Sequence, residues 1–298
     1  MRSLLVGVIA VLALGASTGV HAQSSQFQFF ASLVDAAGTP ITNVAAADLD
    51  VREDGIAGKV LKVEPIDWPV KVAILIENGT GSAERLTQVR NGVKGLIGAL
   101  PDGVEAGLQS IAPQPRWIVR PTTDHQSLIT GVDRITPDES ASRFVDGLLE
   151  TVTRFDKERG NYFPVIIIMG SLAAEGSSIR ERDLDRMFRL IAERAITVHV
   201  VMVVPSGQSL TGGVNQTQLG LAVTKQSGGR YESIAASTRL ATLLPEIGAQ
   251  VAQSHMRQSK QFRITFERPN GKTGAMGPVS LGGKGAQNAR LTIDGRMP

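Results

Sequence analysis

The chain of 298 residues contains no cysteine, and a strong charge of either sign is also missing. Without cysteine there are no disulfide bonds and no thiol chemistry, so the fold must be stabilised by core packing. Lys and Arg number 31 against 28 Asp and Glu. This small excess excludes a polybasic surface and gives no reason to expect nucleic-acid binding. Hydrophobic residues make up 42% of the chain, enough for a large core, which argues against disorder over the whole length.

One apolar segment stands at the beginning of the chain. Arg2 precedes an apolar run over residues 4–14, and a small-x-small cleavage pattern ends at Ala22. The run is shorter than the roughly 20 residues that a membrane-spanning helix needs. We therefore predict that residues 1–22 are a secretory signal peptide, and that the mature protein is exported, periplasmic or extracellular, without a membrane span.

Two short β-rich segments flank the middle of the mature sequence. Residues 23–66 form a leader in which the apolar–charged alternation of 49–53, an Asp-Gly turn at 54–55 and a returning strand at 60–63 predict a hairpin. Residues 259–298 contain one strand and then a glycine-rich tail with little periodicity, in which one weak strand is predicted at 289–293.

Residues 67–258 alternate apolar strands with amphipathic helices. The continuous apolar run 164–169 is typical of a strand covered on both faces, and Ser82 stands where the first helix should have its N-cap. The alternation predicts an α/β fold, with a doubly wound, mostly parallel sheet flanked by helices. Because ligands bind outside the carboxyl ends of such strands, the loop 78–82, after the strand that begins at Val70, is the candidate site.

These elements resemble, in order, a von Willebrand factor A (VWA) domain of the bacterial secreted type. The resemblance rests on five segments. They are the leader motif Val51-Arg52-Glu53-Asp54-Gly55, Asn78-Gly79-Thr80-Gly81-Ser82 at the family's Asp-x-Ser-x-Ser, residues 142–147 at its Thr-Ala-Leu-Tyr-Asp-Ala, residues 165–171 at its strand ending in Asp-Gly, and residues 221–231 at its Leu-Ala to Gly-Gly-x-Tyr segment. The resemblance implies a metal-ion-dependent adhesion site (MIDAS), where a protein partner's acidic side chain completes the metal shell.

The resemblance places the five metal-ligand positions of the family on uncharged residues. The five positions fall on Asn78, Thr80, Ser82, Ser142 and Gly170, so three hydroxyls remain and both carboxylates are gone. Hard divalent cations require charged oxygen ligands. We therefore predict a degenerate MIDAS that binds no metal and no cofactor, and that recognises an unidentified protein partner through hydroxyl and amide hydrogen bonds.

Further side chains are candidates for the same binding face: Glu77, Asp124, His125, Asp146, Ser171 and Glu175. Alternation along the strand predicts that Glu77 points away from the site, whereas Asp124 and His125 are expected on the ligand-facing edge. One alternative is a rebuilt Mg²⁺ or Ca²⁺ site that uses Glu77 or Glu175. A more distant one is a hydrolase that uses Ser171 or His125, although no Gly-x-Ser-x-Gly motif supports it. The main expectation is a non-enzymatic binding module.

Overall fold

The computed structural model describes residues 26–178, 180–204, 214–272, 274–292 and 295. The predicted signal peptide lies outside these residues. The strands in the described part are β1 Gln26–Val34, β2 Leu49–Glu53, β3 Ile56–Ala57, β4 Lys59–Pro65, β5 Val70–Ile76, β6 Glu105–Ser110, β7 Arg116–Thr122, β8 Phe163–Ser171, β9 Thr197–Val203, β10 Tyr231–Ile234, β11 Phe262–Glu267, β12 Val279–Gly283 and β13 Asn288–Thr292. The α-helices are α1 Leu86–Ala99, α2 His125–Val132, α3 Phe144–Lys157, α4 Glu181–Glu193, α5 Val214–Ser227 and α6 Leu240–Gln258.

A six-stranded sheet with the order β10-β9-β8-β5-β6-β7 forms the centre of the fold. All its strand pairs are parallel except β6 with β7. Val72, Ile74 and Ile76 pack with α1, α2 and α6, while Ala73 and Leu75 pack with α3, α4 and α5 on the other face. The central strands β5, β8 and β9 are mostly apolar, as expected for strands that are covered on both faces, and the predicted α/β fold is confirmed.

Two local features of this domain differ from the sequence-based expectations. The short helix α2, after β7, was not predicted. The first helix also starts later than expected, because a 3₁₀ turn over Ala83–Arg85 precedes α1. The side chain of Ser82 makes no capping hydrogen bond, so the predicted N-cap at this position is wrong.

The leader and the end of the chain form β-sheets together. The four-stranded sheet has the order β13-β1-β11-β4, and a second sheet has the order β12-β2-β3. The predicted turn at 54–55 is present, but β3 returns from it; residues 60–63 belong to β4, which pairs with β11. Phe29, Phe262 and Phe266 lie in the core of this β-unit. The sequence did not indicate this pairing, since the two segments are far apart in the chain.

None of the helices within the described ranges is long and apolar enough to cross a membrane.

Candidate functional site

The first loop, residues 77–82, lies at the carboxyl edge of the central sheet and is fixed to the segment before α3. The Thr80 amide donates to Ser140 O (2.9 Å) and Thr80 Oγ1 donates to Glu139 O (2.7 Å). A Cβ atom on Gly79 would lie 2.9 Å from Ser140 O, so only glycine permits this approach. Gly81 has a φ of 77°, a left-handed conformation that also favours glycine. The glycines of the loop therefore serve its geometry.

Asn78 supports the loop through its amide group. Its Nδ2 donates to Thr136 O (3.0 Å), and its Oδ1 accepts a hydrogen bond from the Ala112 amide (3.0 Å). The side chain is buried, with 1% exposure. Aspartate could accept from Ala112 but could not donate to Thr136. Asparagine therefore suits this position structurally, and its oxygen is already engaged.

Gly170 leaves no space for a ligand side chain. A Cβ atom there would lie 2.8 Å from Met202 Sδ and 2.9 Å from the ring of Phe144. Both neighbours belong to the buried apolar cluster on one face of the sheet. A carboxylate in this position would have to displace core side chains.

Ser82 and Ser142 carry buried hydroxyls, with residue exposures of 2% and 0%. In the described part of the chain, neither Oγ has a hydrogen-bond partner. The backbone of Ser142 holds the loop after β8, because its amide donates to Ala174 O (3.1 Å) and its carbonyl accepts from the Gly176 amide (2.7 Å). Buried hydroxyls are normally satisfied by protein or by water. These two are therefore positions where water or a polar group of a ligand would bind.

A buried cation, Arg85, connects the first loop to the end of β8. Its Nη1 donates to Gly81 O (2.7 Å), and its Nη2 donates to Glu77 Oε2 (2.7 Å) and to Ser171 Oγ (3.1 Å). Ser171 Oγ in turn donates to Glu77 Oε1 (2.8 Å). Glu77 thus contacts residues of the candidate face, and the prediction that it points away is wrong. No sequence motif indicated Arg85.

Burial dominates the electrostatics of Glu77. It raises the pKa of the Glu77 carboxyl above its ordinary value, although the Arg85 guanidinium and the hydrogen bonds from Ser171 and Arg85 oppose this shift. The side chains of Glu77 and Arg85 are only 3% and 16% exposed. The pair is therefore a largely desolvated ion pair, in which each charge depends on the other.

Glu175 and Asp146 fix the loop after β8 to the start of α3. Glu175 Oε2 accepts a hydrogen bond from the Phe144 amide (3.2 Å), and its Oε1 accepts from the Ser177 amide (2.9 Å). The Asp146 amide donates to Ser177 Oγ (3.0 Å), and its carboxylate pairs with Arg143 (3.0 Å). Both acids are engaged in capping and loop contacts.

Asp124 and His125 lie at the opposite edge of the sheet. Strand β7 runs antiparallel to β6, so its end returns to the amino end of β6. Asp124 caps α2 by accepting from the Gln126 amide (3.0 Å), and His125 Nε2 lies 2.9 Å from Val104 O, just before β6. The expectation that these two residues line the ligand-facing edge is wrong, because the antiparallel β7 ends at the amino edge of the sheet.

A cleft of ≈ 580 Å³ opens beside Arg85, between the first loop, the end of β8 and the segment after β10. Most of the side chains around it are small, among them Ala173, Ala236 and Thr238. The cleft is thus wide enough to receive a protruding side chain of a partner.

No protein-family model matches the sequence, and no curated protein matches it. Solved structures do. A von Willebrand factor type A structure from Catenulispora acidiphila is 13% identical, with 91% of this chain and 72% of that chain covered at a TM-score of 0.50. The chain has the von Willebrand factor A fold.

Two other solved structures are also similar to this chain. BatB from Bacteroides thetaiotaomicron is 16% identical, with 62% of this chain and all of that chain covered at a TM-score of 0.47. Proximal thread matrix protein 1 from the mussel byssus, solved with a zinc-occupied MIDAS motif, is 11% identical, with 66% of this chain and 47% of that chain covered at a TM-score of 0.47. Such identities establish the fold, and the site has to be judged from its own residues.

The MIDAS residues of the VWA fold do not fit a divalent cation in this chain. Asn78 uses its oxygen on the backbone, Gly170 has no side chain, and the nearby Glu77 is paired with Arg85. A Mg²⁺ or Ca²⁺ ion needs carboxylate oxygens and would be repelled by the adjacent guanidinium. The described residues also contain no group of three or more acidic or histidine side chains that could hold a metal.

Proposed function

We propose that this chain is an exported, non-enzymatic protein-binding module of the adhesion or scaffold type, whose carboxyl edge recognises a protein partner without a metal ion. The observation that carries the proposal is the buried Arg85, which bridges Gly81, Glu77 and Ser171. The guanidinium supplies the positive charge and the connection between loops that a metal ion would provide. The apolar run and cleavage pattern of residues 1–22 support export.

The binding groups of the proposed face are polar and close to neutral. The cleft beside Arg85 is lined by the hydroxyl-bearing residues Thr80 and Ser171 and by small residues such as Ala173. A partner that inserts a polar side chain into this cleft would gain hydrogen bonds and shape complementarity. No acidic partner residue is required, since there is no metal shell to complete.

A hydrolytic role has weak support. Ser171 hydrogen-bonds to Glu77 and Arg85 at the carboxyl edge, whereas His125 lies near Val104 at the other end of β6. A nucleophile and its base must be within hydrogen-bonding reach of each other. These two residues therefore cannot act as one catalytic pair in this conformation.

Metal-dependent adhesion is the second candidate function, because hydroxyl oxygens such as the unpartnered ones of Ser82 and Ser142 can also coordinate a metal ion. It would require Glu77 to leave Arg85, or Glu175 to give up its backbone contacts. Each change would break contacts that now stabilise a charged side chain, and this costs free energy. The metal-free function is therefore preferred.

Titration with divalent cations tests the metal-free proposal. We expect Mg²⁺, Mn²⁺ and Ca²⁺ at millimolar concentrations to give no binding heat and no rise in melting temperature, since a ligand that binds only the folded state would stabilise it. Isothermal titration calorimetry and thermal unfolding provide the measurements. Saturable micromolar binding that is lost in Ser82→Ala would overturn the proposal in favour of the metal-dependent candidate.

Capture of partners tests the binding face itself. In EDTA, the full chain is expected to retain a specific protein from the native envelope fraction, and Ala236→Arg, which fills the cleft, is expected to lose it. Thr123→Arg is the matched control, because Thr123 is also exposed but lies at the opposite edge of the sheet. Retention by both variants, or loss by both, would contradict a partner site in the cleft.

A further inference from the structure

A second concave surface lies far from the candidate face, where the last turns of α6 meet the β-unit. This basic cleft has a volume of ≈ 930 Å³ and is bounded by α6, the turn near Pro40, and strands β1 and β13. Helix α6 has 19 residues, and it starts at the carboxyl edge and ends beside the basic cleft. At 1.5 Å per residue, about 28 Å separate its two ends. The two surfaces are therefore distinct.

Positive charge converges on the basic cleft from two elements of the fold. Arg257 on α6, Lys260 just after it and Arg290 on β13 line the cleft, and all three are exposed. None of its lining residues is acidic. Within the described ranges, these three cations form no ion pair, whereas Arg263 on the same β-unit is paired with Glu64. The basic cleft thus carries uncompensated positive charge.

The basic cleft also borders the edge of a β-sheet. Strand β13 is the terminal strand of the order β13-β1-β11-β4, so one side of its backbone is not paired with another strand of the described residues. Such an edge can accept an extended peptide by main-chain hydrogen bonding. Met256, 55% exposed, adds an apolar contact at the same place.

We propose that the basic cleft binds an extended, acidic segment of a protein partner. Arg257, Lys260 and Arg290 would pair with its carboxylates, and the edge of β13 would hydrogen-bond to its backbone. A free phosphate or an anionic membrane would use the cations but not the sheet edge, so the combination favours a polypeptide. This inference does not depend on the function proposed for the carboxyl edge.

Fluorescence anisotropy with defined peptides tests the proposal. The probe is a short fluorescein-labelled peptide of alternating Glu and Thr, added to the full chain at low ionic strength. We expect saturable binding that weakens with added salt, because exposed charge pairs are screened. A second peptide of the same charge, with Pro in place of Thr, should bind about tenfold more weakly because it lacks half of the backbone donors.

Matched triple variants separate the basic cleft from general charge. Replacement of Arg257, Lys260 and Arg290 by Ser should weaken binding by about tenfold or more, because three exposed ion pairs with the peptide would be lost. The control replaces Lys157, Arg182 and Arg186, which are exposed elsewhere and carry the same total charge, and should leave the affinity unchanged. Equal loss in both variants, or no binding by the original chain, would overturn the proposal.

Two further probes distinguish the class of ligand. Inorganic phosphate and phosphatidylglycerol vesicles should compete only weakly with the Glu-Thr peptide. If either binds the full chain as well as the peptide does, and loses affinity in the same triple variant, the basic cleft is an anion site or a membrane site and the peptide proposal is wrong.

Discussion

Replacing Arg85 with methionine is expected to lower the free energy of unfolding by about 3–5 kcal/mol at neutral pH, as found when one partner of a buried ion pair is removed. The reason is the position of Glu77, whose carboxylate is 3% exposed and accepts a hydrogen bond from Arg85 at 2.7 Å. Without the guanidinium, this carboxylate would be buried with only the Ser171 hydroxyl as a donor. Urea denaturation followed by circular dichroism measures the loss.

A second substitution should restore most of this stability. In the double variant Arg85→Met/Glu77→Leu neither charge of this pair remains, and such replacements are often close to neutral. Lys94→Met, on helix α1 that follows Arg85, is the control: its pair with Asp133 is partly exposed and its loss should cost less than about 1 kcal/mol. If Arg85→Met is no worse than Lys94→Met, the guanidinium does not hold this edge together.

The pH dependence of the single variant follows from the same burial. The pKa of Glu77 is raised by desolvation even with Arg85 present, and removing the cation would raise it further. A group with a raised pKa in the folded state contributes stability at low pH that is lost as the pH rises through that value. The deficit of Arg85→Met should therefore shrink as the pH falls and the Glu77 carboxyl binds a proton.

The strands and helices of the central domain could be predicted because each buries a periodic apolar face. The runs that became β5 and β8 are apolar on both sides, and this pattern requires helices on both faces of the sheet. The weak strand predicted at 289–293 is present as β13. Periodicity does not show which strands pair with each other. The pairing of β1 with β11 and β13 could therefore not be predicted.

The length of the linker before β7 is a sequence signal for the direction of this strand. Only residues 111–115 separate β6 from β7. A parallel connection needs about a dozen residues or more, so this short linker permits only an antiparallel pair. Applied in advance, this rule would have placed Asp124 and His125 at the opposite edge.

Arg85 was missed because an arginine at the beginning of a helix is usually a solvated surface residue. Its role depends on Glu77, an acid directly after an apolar strand, and on the left-handed turn at Gly81 that exposes a carbonyl to it. A buried acid requires a nearby cation. That requirement could have indicated Arg85, but its geometry, two donors directed at different loops, follows only from the folded chain.

The leader motif, in contrast, acquires a clear structural role through Glu53. Its carboxylate is fully buried and contacts the Arg268 guanidinium at Nη2 and, at 2.7 Å, at Nε. The Gly277 amide also donates to it at 3.0 Å. Arg268 is 3% exposed and lies over the ring of Phe27, 5.0 Å from its centroid. This ion pair joins β2 to the segment after β11, in addition to the strand pairs that connect the leader with the last strands.

Substitution Glu53→Gln is expected to destabilise the chain by about 3 kcal/mol at neutral pH, because it leaves the buried Arg268 without a counter-charge. The hydrogen bond from Arg268 is the largest cause that lowers the pKa of Glu53, from 4.5 to about 2, and outweighs the opposing effect of burial. A lowered pKa contributes stability above the unfolded value that is lost as the pH falls through the folded value. The difference between the two proteins should therefore shrink between about pH 4.5 and pH 2, most of it towards the lower end.

Thermal unfolding of both proteins over this pH range measures the effect. Asp50→Asn, which alters an exposed pair with Arg52 on the same strand, should change the free energy of unfolding by less than about 1 kcal/mol at every pH. Unfolding curves for Glu53→Gln that stay parallel to those of the original chain down to pH 2 would contradict a depressed pKa. Glu53 and Glu77 thus predict opposite slopes: acid weakens the first ion pair, whereas it relieves the loss of the second.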